Sequence, residues 1–240
     1  MPNPTAAMLV IGDEILSGRT RDANMHHLAG QLTAVGIDLR EVRIVSDDAP
    51  AIIAAVRAMS ARFDHVFTSG GIGPTHDDIT ADCIAEAFDD SIDVRDDARA
   101  LLQAHYERSG QELNTARLRM ARIPATATLI DNPVSTAPGF AIGNVYVMAG
   151  VPAVFQAMVA SVLPGLTGGA PLLSRSLRVM RGEGDIAGPL GIFAADHADL
   201  SVGSYPFQKD GIYGANLVIR GQDQERVDAA FATLEQLFVS

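Results

Sequence analysis

Tryptophan is missing from this 240-residue chain, and all aromatic residues together make up only 5%. The core must therefore be aliphatic, built from Ala, Val, Ile and Leu. Cysteine occurs once, as Cys83, which excludes intramolecular disulfides and cysteine-rich zinc sites and fits a reducing cytoplasm. Lysine also occurs once, as Lys209. Lys and Arg number 18 against 29 Asp and Glu, a net charge of −11, with no basic run. Such a surface repels a phosphate backbone, so neither nucleic acid nor an anionic membrane is an expected partner. No stretch reaches the roughly 18–20 apolar residues that span a bilayer. The opening MPNPTAAMLVIGDE lacks the basic region and apolar length of a signal peptide, so a soluble, cytoplasmic protein is expected.

What is present is an ordinary globular composition, 48% apolar and 20% charged. AAMLVIG (6–12) is a short apolar run closed by glycine, the pattern of a strand buried on both faces. In MHHLAGQLTAVG (25–36), Met25, Leu28, Leu32 and Val35 recur at helical spacing, and Gly36 suits the position just past a helix end. LREVRIV (39–45) reads as a strand. Asp47 or Asp48 can cap the next helix, which is striped by Ile52, Ile53, Val56 and Met59. HVFTSGG (65–71) is a third strand, followed by a helical stripe of Ile79, Cys83, Ile84, Ala87 and Phe88. This alternation predicts an α/β fold with a mainly parallel sheet and right-handed crossovers.

Residues 92–122 carry helical patterning and are expected to cover one end of the sheet. TLID (128–131) and NVYVMAG (144–150) supply further strands, and VPAVFQAMVASVL (151–163) a closing helix. Pro and Gly concentrated over 164–175 mark a linker. The tail orders β-α-β-β-α, a small α+β domain. The expected domains are 1–168 and 172–240.

Strand C-termini of a parallel sheet share one edge, and ligands bind in the crevice outside it. Asp13 and Glu14 follow the first strand, Asp47 and Asp48 the second, and SGGIGPTHDD (69–78) the third. In that loop Gly70, Gly71 and Gly73, with Pro74 and Thr75, lead from a buried strand into a helix. Glycine backbone and free helix N–H groups suit an oxyanion. The loop is neither the lysine-bearing GxxxxGK[ST] nor the dinucleotide fingerprint G-x-G-x-x-G. Acids in a first helical turn also gain about 0.3–1 kcal/mol from the helix dipole with no function attached. That explanation fits Asp47/Asp48 and Asp77/Asp78 better than Asp13–Glu14, which follows a strand directly.

A hard divalent cation, Mg2+, Mn2+ or Co2+, reconciles an anion cradle with the acids beside it. Asp47 and Asp78 would hold the ion, while the loop amides and Thr75 hold a phosphate. Glu14 would orient a water or act as general base. His26 and His27 read as surface or packing residues and Cys83 as core. His76 lies within the loop, in reach of the phosphate or the metal.

VIGDEILSGRTRDAN (10–24), the Asp47 segment and TSGGIGPTHDDITADCIAEAF (68–88) resemble the molybdopterin-binding fold of molybdenum-cofactor biosynthesis. NPVSTAPGF (132–140) and GVP with QAM (150–158) resemble, more closely, the amino-terminal part of competence/damage-inducible protein A. VGSYPF (202–207) is similar to the start of that group's small KH-like domain. The resemblance implies a three-layer α/β/α domain, often trimeric, so a homo-oligomer (dimer or trimer) is expected. It adds Asn24, Ser135 and Thr136 to the ligand-binding candidates. Ser135 stands where the group usually has glycine, and Ala149 replaces a proline. The group's amidohydrolase domain has no counterpart in this chain, and that activity is not carried over.

Three functions remain open at this point. The first is metal-dependent hydrolysis of nucleotide pyrophosphates such as ADP-ribose or FAD, which the resemblance associates with this branch. The second is binding or adenylyl transfer to molybdopterin, the third a non-catalytic binding module. Either ligand would be a small-molecule nucleotide or pterin phosphate.

Overall fold

Strand β1 (Thr5–Ile11) runs through the middle of the first unit with both faces covered, every residue from Ala6 to Ile11 being at most 3% exposed. In the computed structural model, which describes residues 2–209 and 211–239, it pairs in parallel with β2 (Asp38–Val45) and β3 (His65–Ser69). Beyond β3 come β8 (Val145–Met148), also parallel, then β7 (Gly139–Ile142), antiparallel to it, and β6 (Thr128–Ile130). The order is β2-β1-β3-β8-β7-β6.

Alternation along β1 divides the core into two. Ala6, Met8 and Val10 face α2 (Asn24–Ala34) and α7 (Pro152–Val162), where they meet Leu28, Leu32, Phe155 and Met158. Ala7, Leu9 and Ile11 face α3 (Ala49–Ser60) and α4 (Thr80–Ala87), where they meet Ile52, Val56, Met59 and Ile84. The result is a three-layer α/β/α unit, with a short α1 (Asp13–Leu16) between β1 and α2.

Local signals explain the element ends. Asp48 caps α3 by accepting the Ala51 N–H at 3.1 Å. Past α2, Gly36 takes φ +70°, and Ile37 N–H returns to Leu32 C=O at 2.9 Å. Met25, the first residue of the expected apolar stripe, is 40% exposed, whereas Leu28 and Leu32 are fully buried.

Three expectations need correction. Residues 92–122 are not wholly helical: α5 (Asp96–Arg108) and α6 (Thr115–Leu118) are flanked by β4 (Ile92–Val94) and β5 (Arg122–Pro124), which pair antiparallel. Each of these two strands has only three residues and lies at an end of a stretch patterned as helix. Strand β7 begins in the last two residues of NPVSTAPGF (132–140), a segment singled out only as a motif. Asp77 and Asp78 precede α4 in a turn and do not occupy its first helical turn.

The second unit, 170–240, has its own core. It orders β9 (Leu173–Val179), α8 (Glu183–Asp196), β10 (Ser201–Lys209), β11 (Ile212–Gly221) and α9 (Gln224–Val239), the β-α-β-β-α order expected. The sheet is antiparallel in the order β10-β11-β9. Ile186, Leu190 and Phe193 from α8 join Ala230, Leu234 and Phe238 from α9 against Ala215, Leu217 and Ile219. Both helices therefore cover one face of the sheet.

Candidate phosphate-binding site

The glycine loop leaves the sheet where β1, β3 and β8 end together. Gly70 N–H donates to Met148 C=O at 3.1 Å, and Gly70 has φ +109°. A Cβ there would stand 2.2 Å from the Ile11 carbonyl oxygen, so only glycine fits this crossing. At Gly71, with φ +68°, an added Cβ would meet the Thr80 hydroxyl at 2.1 Å. Thr80, fully buried at the start of α4, pins the loop: its N–H donates to Gly71 C=O at 2.9 Å and its hydroxyl to Gly70 C=O at 3.0 Å.

Asn24 ties a second loop to the first. Its Nδ2 donates to Ser69 Oγ and to the Gly150 carbonyl, both at 2.8 Å, while its buried Oδ1 has no partner among the described residues. Asn24 thus holds the strand ends in register from behind and lies outside the cavity wall.

In front of the loop is a cavity of about 550 Å3. Glu14, Asp47, Asp77 and Asp78 line it together with Gly70, Gly71, Gly73 and Pro74. The acids that the three strand ends carry do share one crevice. Asp47 reaches across to α1, where its Oδ2 accepts the Asp13 N–H at 2.9 Å. Burial pushes the Asp47 carboxyl above its usual range; the Asp13 N–H opposes this, and the charges of Asp13, Glu14 and Asp77 add to the rise. Asp78 is fixed through one oxygen: its Oδ2 accepts the Thr75 N–H at 2.8 Å and the Thr75 hydroxyl at 2.6 Å. Thr75 also contacts Asp77 Oδ1 at 2.5 Å, and this hydroxyl holds the Asp77 carboxyl below its usual range. Glu14 packs over Gly12, where a Cβ would come 2.5 Å from Glu14 Oε2.

Other candidates fall elsewhere. Thr75 spends its N–H and hydroxyl on the neighbouring carboxylates, so it orients acids and is not a wall of the cavity. The His76 side chain is 99% exposed and lines no part of the cavity, contrary to the reach expected of it. Ser135 lines the wall, but Thr136 does not: at φ +64° its hydroxyl meets His105 Nδ1 at 3.0 Å. Cys83 is buried as expected, and burial pushes its thiol up to about 11.

Two residues escaped the sequence reading. Asn132 is 3% exposed and organises the Ser135 loop; its Oδ1 accepts the N–H groups of Val134 and Ser135, and its Nδ2 donates to Ser135 Oγ and Ala137 C=O. An asparagine before proline in a polar stretch carries no stronger signal than a turn. Arg119 comes from beyond α6 and donates to the Asp78 carbonyl at 3.3 Å. It lines a small hollow against Gly71, Gly73 and Asp78, and its buried Nε has no partner among the described residues. Arg122, beside it, is ion-paired with Asp82. The cation that the glycine loop lacks in sequence is thus brought to it from 41 residues downstream.

Comparison with known proteins bears on the fold and the family. Residues 7–168 match the family described as "Probable molybdopterin binding domain", and residues 171–240 match "FAD synthase, middle domain". The protein named "Probable FAD synthase" from Caenorhabditis elegans is 33% identical over 97% of this chain and 50% of its own length. A "CinA-like protein" from Citrifermentans bemidjiense is 39% identical over 68% of this chain and 40% of its own. The chain thus spans about half the length, or less, of these curated relatives. The crystal structure of the protein CinA with unknown function from Thermoplasma acidophilum superposes with a TM-score of 0.62 at 35% identity, covering 68% of this chain and 97% of that one. Since one family model takes in well over half of its residues, the chain belongs to the molybdopterin-binding domain family, in a CinA-like form.

Proposed function

We propose that the glycine-loop cavity binds a nucleotide pyrophosphate of the ADP-ribose or FAD type and that the chain hydrolyses its phosphoanhydride with a divalent cation. The observation that carries this reading is the convergence of Glu14, Asp47, Asp77 and Asp78 on a cavity floored by an anion-cradling glycine loop. Like charges gathered in this way, with Asp47 pushed up, call for a proton or a cation.

The donor set is carboxylate oxygen throughout, which suits a hard ion. No three His, Cys, Asp or Glu side chains among the described residues gather closely enough to hold a metal by themselves. Phosphate oxygens of the ligand would complete the shell. Asp47 and Asp78 are the residues that would hold the ion, since each is anchored through Oδ2 and keeps Oδ1 for another partner. When bound, the ion supplies neutralisation of phosphate charge and a more acidic water. The chain's own part is positioning. Loop glycines let the phosphate approach the backbone, Arg119 braces the Asp78 carbonyl behind them, and Glu14 takes the proton of the attacking water. Water adds to one phosphorus, the bridging oxygen leaves with the other, and two monophosphates result.

The alignment of the FAD synthase relative through both units supports a flavin or adenine nucleotide as the ligand. A second reading, binding of a molybdopterin phosphate at the same edge, is favoured by the family description.

The test is product analysis by chromatography after incubation with ADP-ribose or FAD, with and without Co2+ or Mg2+. The expected result is metal-dependent release of AMP, lost by at least about 100-fold in Asp78→Ala, of the order seen when a transition-state charge partner is removed. Absence of turnover together with tight molybdopterin binding would overturn the hydrolase reading in favour of the second.

A further inference from the structure

The second unit leaves one face of its sheet uncovered, and that face is chemically unlike the rest of this acidic chain. Ala215, Leu217 and Ile219 point into the core of the unit, so Asn216, Val218 and Arg220 of β11 lie on the opposite face. The antiparallel register places Tyr205 and Arg178 on either side of Asn216, and Gly203 and Ser176 on either side of Val218. Two ring–guanidinium contacts confirm that these side chains share the face: Arg178 lies 4.1 Å from the Phe207 ring centroid, and Arg220 lies 5.5 Å from that of Tyr205. Tyr205 is 44% exposed, and Ser176 and Arg178 are also exposed.

The charges are segregated. Neither Arg178 nor Arg220 forms an ion pair among the described residues, whereas Arg175 pairs with Asp228 and Arg226 with Asp199. The described carboxylates of the unit lie on α8, α9 and the turns before β10 and α9; none is at an open-face position of a strand. Within a chain of net charge −11, this is a local platform of two uncompensated cations, two rings and small hydroxyl or glycine positions.

We infer that this open face is a second ligand site, which binds a nucleoside monophosphate. A flat base stacks on the exposed Tyr205 ring, a contact every nucleobase can make. A guanidinium held beside either ring offers the phosphate dianion a charge-assisted pair. Asn216, between Tyr205 and Arg178 in register, offers both a donor and an acceptor to the edge of the base. A polyanion is disfavoured by the net charge, and an acidic peptide would leave the ring without a stacking partner. This site uses no residue of the glycine-loop cavity, so the inference stands independently of the hydrolysis reading.

The test is a titration of the isotope-labelled full chain with AMP at low salt, followed by amide NMR. Signals from residues 174–178, 203–207 and 214–220 are expected to shift together with one dissociation constant. Tyr205→Leu and the double variant Arg178→Gln/Arg220→Gln should each weaken that constant by about tenfold or more, given the energy of stacking on an aromatic platform. All three positions are on an open face, and an unchanged spectrum and thermal midpoint in the absence of AMP would show that the variants are folded. Shifts confined to residues 70–78 would report on the first cavity alone and overturn this inference. Equal affinity in the variants would do the same, as would a single-stranded oligonucleotide binding this face far more tightly than AMP.

Discussion

Asp47 shows how one side chain can be read two ways until its neighbours are known. Beside Asp48 it looks like half of a helix cap, but only Asp48 caps α3; Asp47 turns to the α1 backbone and the carboxylate cluster. The folded protein raises the carboxyl above its ordinary value near 3.9, so the folded state binds this proton more readily than the unfolded state does. The contribution of Asp47 to stability is therefore greatest below the unfolded value, and it is lost as pH rises through the folded one. At pH 7 the charged carboxylate is a net cost. Asp47→Asn keeps an acceptor for the Asp13 N–H and removes the charge. Without divalent cations its thermal midpoint should exceed that of the parent chain at pH 7, with the difference closing towards pH 3.5. A lower midpoint at pH 7 would mean that Asp47 acts as a structural anchor and not as a strained ligand. Sequence alone made Gly70, Gly71 and Asp78 legible, because glycine clustering after an apolar strand has few other uses. Arg119 and Asn132 were not legible, because their roles depend on chain reversals that leave no local pattern.

At the scale of elements, long apolar runs and helical stripes were readable; of the short strands, β6 and β8 were readable, and β4, β5 and β7 were not. Strand β1, buried on both faces, and α3, with a capping residue and an apolar stripe of Ile52, Ile53, Val56 and Met59, follow directly from period and punctuation. Strands β4, β5 and β7 have three or four residues each, and their pairing is set by tertiary contacts. Helix α8 shows the opposite conflict. It begins at Glu183 and carries Gly184, Gly188, Pro189 and Gly191 inside it. Burial of Ile186, Leu190 and Phe193 against the sheet holds it helical in spite of poor propensity. A Cβ at Gly188 or Gly191 would meet nothing within 4 Å. Gly191→Ala should therefore stabilise the second unit by about 1 kcal/mol, measured by denaturant unfolding, whereas Gly188 precedes Pro189, whose ring disfavours a Cβ before it in a helix. A destabilising effect would mean that this glycine face is covered by something other than water.

The whole molecule consists of two units with separate cores. The first brings acids from three strand ends into one crevice, a consequence of parallel topology that strand order alone foretells. The second presents a basic, aromatic sheet face, which strand order did not suggest because its arginines are scattered in sequence and meet only through register. No helix among the described residues is long and apolar enough to cross a membrane. The central proposal is that the glycine loop and the acids form one metal–phosphate site. Electron paramagnetic resonance of Mn2+ titrated into the protein with and without ADP-ribose tests it most directly. The account predicts weak binding of Mn2+ alone and at least about tenfold tighter binding with ADP-ribose, with the gain abolished in Asp47→Asn and in Asp78→Ala. Mn2+ affinity that is indifferent to ADP-ribose, or unchanged in both variants, would contradict it.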